Sequence, residues 1–290
     1  MNESNTNSEL SVVIPTLGGS GLRKTVEIIN GGSVIPEKIF FVIPEKYKEN
    51  IDMQLSDNVS VLVVDCMGQV PQRAEGFKHA KTKYVLQMDD DIVLDGKCIE
   101  TLINTIKTYG ESCSIAPIII NSNPVQHNNK KTIFHKLYYF LMNGKAGYQP
   151  GKIDKCGTPI AFRQQDVRKV MNVDWVPGGC ILHQKNNLYY ENYYPFNGRA
   201  TYEDILHSYL LKQKGVELYL DPNAIAYAEI NEKFNYTPAQ YFKRMKDNYK
   251  VRKYYMNLAS VSSMRIYLFY LINTIGYFIS YFRNNAVAKR

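Results

Sequence analysis

The stretch VLQMDDDIVL (85–94) sets Asp89, Asp90 and Asp91 side by side directly behind an apolar run. Three adjacent carboxylates repel one another unless something positive lies between them. A hard divalent cation does this: Mg²⁺ or Mn²⁺ takes one or two carboxylates, with substrate phosphates and water completing its shell. A bland reading competes, in which the run is a solvated turn capping the next helix through Asp91 or Asp95. An EF-hand beginning at Asp91 is excluded, because its third position is Val93 and its twelfth Leu102, neither of which offers a side-chain oxygen. A P-loop is a near miss. GGSGLRKT (18–25) puts Arg23 where the second glycine of the motif belongs, and a side chain there obstructs close phosphate approach.

The segments that must position the aspartates alternate between two patterns. SVVIP (11–15), KIFFVIP (38–44), VSVLVVD (59–65), KYVLQM (83–88) and SCSIAPIII (112–120) read as buried strands. Between them GLRKTVEII, PQRAEGFKHAKT (71–82) and DGKCIETLINTIKTYG (95–110) have helical character. Such alternation predicts an α/β fold with a mostly parallel central sheet flanked by helices, in which ligands gather at the carboxyl ends of strands. The aspartates sit at such an end. Residues 121–170 read as a long polar loop region with some helix around Ile133–Leu141, a candidate for acceptor contacts or a lid. VDWVPGGCILH (173–183), a helix in TYEDILHSYLLKQKG (201–215) and a strand pair in VELYL and AIAYA follow.

The chain has 290 residues and a net charge of +8. That charge belongs to its end: residues 241–290 carry ten basic side chains against Asp247 alone, and the rest is close to neutral. A basic tail calls for an anionic partner, nucleic acid or acidic lipid. The polar start MNESNTNSEL lacks the layout of a secretory signal, and five cysteines without paired spacing suit reduced thiols. His127, His183 and His207 have no metal-ligand spacing and read as ordinary surface or half-buried residues.

VLQMDDDI resembles the strand and DxD motif of the inverting family-2 glycosyltransferases, whose fold is the nucleotide-sugar-binding GT-A fold. SVVIPT (11–16) is similar to that family's opening strand, QRAEGFKHAKTKYVLQMDDD (72–91) to its segment leading into the aspartates, VDWVPGGCIL (173–182) to its glycine strand on the donor side, and YEDILHSYLLKQKG (202–215) to its helix opened by Glu-Asp. The resemblance spans about residues 10–230 and implies roles. Pro15 and Thr16 would lie near the base, with Glu45 a candidate base contact, and Arg73 beside the nucleotide. Asp89 and Asp90 would bind the donor, and Asp89 and Asp91 the metal, Mn²⁺ or Mg²⁺. Gly178 and Gly179 would let the backbone approach the donor sugar. Asp204 would be the general base, with Glu203 supporting it or touching the acceptor. The chain departs from the family at IPEKYKEN (43–50), where an acid-rich turn is common, and at Ala228, where many members have histidine.

The bland reading of Asp204 is a T-x-x-D helix start from Thr201. The tyrosines of 189–202 could stack on an acceptor sugar or simply pack. At the far end, IYLFYLINTIGYFISYF (266–282) spans about 25 Å as a helix, short of the ~30 Å hydrocarbon core. Leu268, Leu271, Ile272, Ile275, Phe278, Ile279 and Phe282 share one face, and Tyr270, Asn273, Thr274, Tyr277 and Ser280 the other. That suits an amphipathic helix in an anionic membrane interface, against a helix docked on the protein. With no groove-reading or RNA-binding motif, nucleic acid is the poorer partner.

The expectation is a GT-A catalytic domain over 1–235 and basic, amphipathic C-terminal helices over 236–290. Its implied activity is metal-dependent, inverting transfer from a nucleoside-diphosphate sugar, a UDP-sugar by resemblance. The acceptor would be a saccharide or lipid-linked saccharide in surface polysaccharide synthesis, at the cytoplasmic face of the membrane. A P-loop phosphotransferase and a non-catalytic nucleotide-sugar-binding relative are the alternatives.

Overall fold

The computed structural model describes residues 9–51, 54–121, 133–162, 166–196, 200–228, 236–261 and 264–287. His127 falls outside them. In chain order the elements are β1 (Leu10–Pro15), α1 (Gly21–Asn30), β2 (Lys38–Pro44), β3 (Val59–Val64), α2 (Gln69–His79), β4 (Tyr84–Met88), β5 (Ile92–Leu94), α3 (Cys98–Tyr109) and β6 (Cys113–Asn121). Then come α4 (Ile133–Asn143), β7 (Met171–Val173), β8 (Cys180–Gln184), α5 (Glu203–Gln213), β9 (Glu217–Ala228), α6 (Pro238–Leu258) and α7 (Met264–Val287). The chain divides into two compact units, Met1–Pro124 with Phe162–Ile230, and Val125–Ala161 with Asn231–Arg290. The second unit thus takes in 125–161 besides the C-terminal helices.

The first unit is built on one sheet in the order β3-β2-β1-β4-β8-β6-β9-β5, with β7 against β9. From β3 to β4 every pairing is parallel, as the apolar runs predict. Beyond β4 the sheet is mixed: β8 runs antiparallel to β4 and β6, and β5 and β7 antiparallel to β9, while β6 and β9 are parallel. In the parallel half β1, β2 and β4 are buried on both faces, while the edge strand β3 is only half-buried. Val12 and Ile14 join Leu22 and Val26 of α1 and Leu102 of α3 in one core. Val13 points the other way, to Phe77 of α2. The period of two along the strand divides the residues between these layers.

The antiparallel pairing of β4 with β8 matters most for the site. Met88 at the end of β4 lies opposite Cys180 at the start of β8. The glycines that lead into β8 therefore meet the aspartates that leave β4. The expected strand pair around VELYL and AIAYA is instead one long strand, β9. Its partner register jumps from Pro117↔Asp221 to Ile118↔Ile225, so Pro222, Asn223 and Ala224 form a bulge. Buried Asp221 holds it, accepting from Thr105 Oγ1 and from the Asn223 N–H at 2.9 Å.

In the second unit the helix expected near 133–141 is α4. A turn at 153–159 is closed by Asp154, whose Oδ1 accepts the N–H groups of Cys156 and Thr158. Helix α6 opens with Pro238 and a reciprocal cap between Thr237 and Gln240. Helix α7 runs antiparallel to α6. Tyr277 stacks on Tyr241 with ring centroids 3.9 Å apart, Thr274 meets Met245, and Tyr270 donates to Asn248. No helix among the described residues is long and apolar enough to cross a membrane.

Helix α2 rides close on the sheet because Gly76 has no side chain: a Cβ there would overlap the methyls of Val13 and Val42. We expect Gly76→Ala to destabilise the chain by about 1–3 kcal/mol through overpacking, read as a lower urea midpoint at unchanged m-value.

Candidate active site

At the carboxyl ends of β1 and β4 a cavity of about 780 Å³ opens. Its walls include Pro15, Thr16, Asp89, Asp90 and Asp91, and across from them Gly178, Glu203 and Asp204. The two acidic groups that the sequence separates by over a hundred residues thus line one space.

Each wall is pinned from behind. Buried Gln72 donates to the carbonyls of Thr16 (3.0 Å) and Val42 (2.6 Å) and accepts from the Gly68 N–H (3.1 Å). It ties the start of α2 to the ends of β1 and β2. Gln87 donates to the Gly178 carbonyl, and the Asp89 N–H to the Gly179 carbonyl at 2.9 Å. Those bonds tie β4 to the glycine turn.

The carboxylates differ in environment. Asp89 Oδ1 accepts from Arg73 (2.5 Å) and Gln69 (2.7 Å). Asp90 accepts from the Thr16 hydroxyl at 2.6 Å, and burial raises its pKa above the ordinary carboxylate value despite that bond. Asp91 is exposed and lines the cavity. The set fits a small divalent cation, because hard oxygens stand at an open wall where diphosphate oxygens can complete the shell. It does not form a closed protein cage: no cluster of three or more His, Cys, Asp or Glu side chains converges among the described residues.

Glu203 and Asp204 begin α5, where the helix dipole favours negative charge. The residue before them, Tyr202, has φ +64°, a left-handed conformation that is costly for a side chain of its size. Thr201 is not the cap it resembled in sequence; no side chain caps this helix, and Asp204 Oδ1 accepts from the Ile205 N–H at 2.9 Å. Burial, then the adjacent Glu203 charge, pushes the Asp204 pKa up to about 7. That is where a general base at neutral pH works best.

Arg73 joins the two acidic groups. Its guanidinium is almost fully buried and donates to Asp89 and, at 3.0 Å, to Glu203. Burial opposes its charge, but Asp89 and Glu203 more than reverse this and hold it above the ordinary arginine range. Arg73 is not part of the cavity lining and stands behind its wall as a strut between the two acids. Glu203 is also held by the Tyr193 hydroxyl at 3.2 Å, and the Tyr193 ring stacks flat on His207. His207 neighbours His183, which shares a hydrogen bond with Ser114 at 2.8 Å. Both histidines are fully buried, against the expectation of surface or half-buried positions, and burial pushes His183 down to about 3. They form a neutral platform under Tyr193.

The glycines serve the carboxylates. A Cβ on Gly178 would collide with the Glu203 carboxylate, and one on Gly179 would come within 3.2 Å of Asp89 Oδ2. Glu45 lies apart from the cavity lining and pairs with Lys48 on an exposed turn. Gln69 and Gln72 were given no role by the sequence reading, and of the tyrosines of 189–202 Tyr193 packs on His207 while Tyr202 lines the cavity. One signal was available: Gln69, Gln72 and Arg73 fall at i, i+3 and i+4, a polar set on one face of α2, of which Gln72 and Arg73 are buried. The P-loop reading fails here. The loop after β1 is tied to Asn50, which donates to the Leu17 carbonyl and accepts the Gly19 N–H, so its backbone is not arranged around a phosphate.

Taken together, the mixed sheet and its flanking helices are those of the GT-A fold. Residues 43–171 match the family model described as "Glycosyl transferase family 2", so the family resemblance holds over that segment, which includes Arg73 and the aspartates. Glu203 and Asp204 lie beyond it. No curated protein sequence matches the chain. Among solved structures it is similar to "Crystal structure of GalNAc-T7 with UDP, GalNAc and Mn2+", with a TM-score of 0.56 and 19% identity, covering 78% of this chain. The chain spans 44% of that protein's length.

Breaking the strut leaves half-buried Asp89 and buried Glu203 without a counter-charge. Arg73→Met should cost about 3–5 kcal/mol of stability, measured by urea unfolding, while Lys48→Met on the exposed pair should change it by less than about 1 kcal/mol.

Proposed function

We propose that the chain catalyses metal-dependent, inverting transfer of a sugar from a nucleoside-diphosphate donor, of the UDP-sugar class, to a hydroxyl of a saccharide or lipid-linked saccharide. The observation that carries this reading is one cavity holding the aspartate trio on one wall and Asp204, tuned to about 7, on another. UDP and Mn²⁺ in the similar GalNAc-T7 structure support the donor class and the ion.

The residues have separable tasks. Asp91, with the outward oxygen of Asp89, would hold Mn²⁺ or Mg²⁺, which supplies Lewis-acid stabilisation of the leaving diphosphate. Asp90, fixed by Thr16, bounds the donor side, with Pro15 and the backbone of Thr16 beside the base. Gly178 and Gly179 keep the wall free of side chains. Asp204 accepts the proton of the acceptor hydroxyl as it attacks, and Glu203 is held away from that proton by Arg73 and Tyr193. Attack opposite the leaving group inverts the anomeric centre. The peripheral setting proposed is the cytoplasmic face of a membrane, supported by the basic C-terminal helices.

Asp204→Asn is expected to reduce turnover by about 10²–10⁴-fold while donor binding, read by thermal shift with UDP-sugars and Mn²⁺, is retained. Full turnover in that variant would refute the base assignment; donor binding without turnover in the natural protein would favour the non-catalytic relative. Because the Asp204 pKa is raised, the base is protonated in acid. Turnover should therefore climb with pH through about 7 and level off above it, and a profile flat from pH 5 to 8 contradicts this. Chelation by EDTA should abolish both transfer and the Mn²⁺-dependent part of the thermal shift, and Mn²⁺ should restore them.

A further inference from the structure

We infer that α6 and α7 build a single two-helix face that seats in the interface of an anionic lipid bilayer. The inference rests on these helices alone and stands apart from the transfer reaction. A helix docked in a protein ordinarily buries its apolar side. Helix α7 does the reverse. The side it packs against α6 carries Tyr270, Thr274 and Tyr277, each bonded or stacked there. Its apolar stripe faces out, with Leu271 57%, Ile275 52%, Ile279 64% and Phe282 65% exposed. Spacings of four, four and three residues keep these side chains on one face of the helix.

Helix α6 supplies the charge. Lys243, Lys246, Lys250 and Lys253 recur at i, i+3, i+7 and i+10, all exposed, so they form one row along the helix. Asp247, the sole acid of the two helices, falls outside that row. Ring contacts show which edges of the antiparallel pair meet. Phe242, beside the lysine row and 48% exposed, touches Phe278, which flanks the apolar stripe. One turn pair further along, Tyr249 touches Tyr267, itself 61% exposed on that stripe. Row and stripe therefore border the same seam. An apolar stripe edged by aromatics and a row of ammonium groups matches the layering of acyl chains, interface and anionic headgroups. Because no helix among the described residues can cross the bilayer, the pair lies on it.

Two variants of the full chain separate this from other occupants: Leu271→Ser with Ile275→Ser and Ile279→Ser, and Lys243→Ala with Lys246→Ala, Lys250→Ala and Lys253→Ala. All seven positions are exposed, and circular dichroism should show unchanged helix content. The natural chain should float with vesicles containing 30% phosphatidylserine and hardly at all with pure phosphatidylcholine. The lysine variant should bind the anionic vesicles on the order of 1000-fold more weakly, and binding should fall as salt rises. The serine variant should also lose flotation. Equal flotation of all three proteins, or flotation indifferent to lipid charge, overturns the inference. A natural chain that is dimeric in light scattering, with a monomeric serine variant and no flotation, assigns the face to a second copy instead. Failure of transfer activity with intact flotation would sink the proposed reaction and leave this face standing.

Discussion

A single buried guanidinium organises this protein. Arg73 is surrounded by a folded sheet and helix yet keeps its charge, because Asp89 lies on one side and Glu203 on the other. Burying an ion is expensive unless it is paired and hydrogen-bonded. That cost fixes a geometry: the turn after β4 and the start of α5 must both present an acid to the same point. Everything else at the site is arranged so that they can. Gly178 leaves room for Glu203, Gly179 leaves room for Asp89, and Gln72 anchors the helix that carries Arg73.

The pairing also explains why two adjacent acids do different work. Glu203 is occupied by Arg73 and Tyr193, so its charge is compensated. Asp204 accepts local backbone N–H bonds, and Glu203, although paired, adds to burial in raising its pKa. A neutral pair of buried histidines beneath Tyr193 keeps that side rigid without adding charge. In the proposed reaction this makes Asp204 the acid that takes the proton. The aspartate trio is divided in the same way, with Asp89 structural on its inner oxygen, Asp90 held by Thr16, and Asp91 open to the cavity.

The second unit follows a different logic. Its helices use tyrosines, whose hydroxyls can bond while their rings pack, as the contact surface between α6 and α7. That choice releases the aliphatic residues to the outside. Sequence periodicity marks both faces of α7 but not which of them the protein uses. The usual rule points to the aliphatic one, and here the tyrosine-bearing one packs on α6.

Local pattern was enough for much of this protein. Continuous apolar runs such as KIFFVIP mark doubly buried strands, alternation with helices marks the α/β class, and three carboxylates behind such a strand mark a place where charge must be compensated. These features depend on neighbours in the chain, so the chain displays them. What depended on distant partners stayed hidden. The antiparallel entry of β8 beside β4, the strut role of Arg73, the burial of His183 and His207, and the outward face of α7 are set by residues scores of positions away. Only when the sheet brings Arg73, Asp89 and Glu203 within hydrogen-bonding reach does electrostatics decide which acid is held as an ion pair and which has its pKa raised.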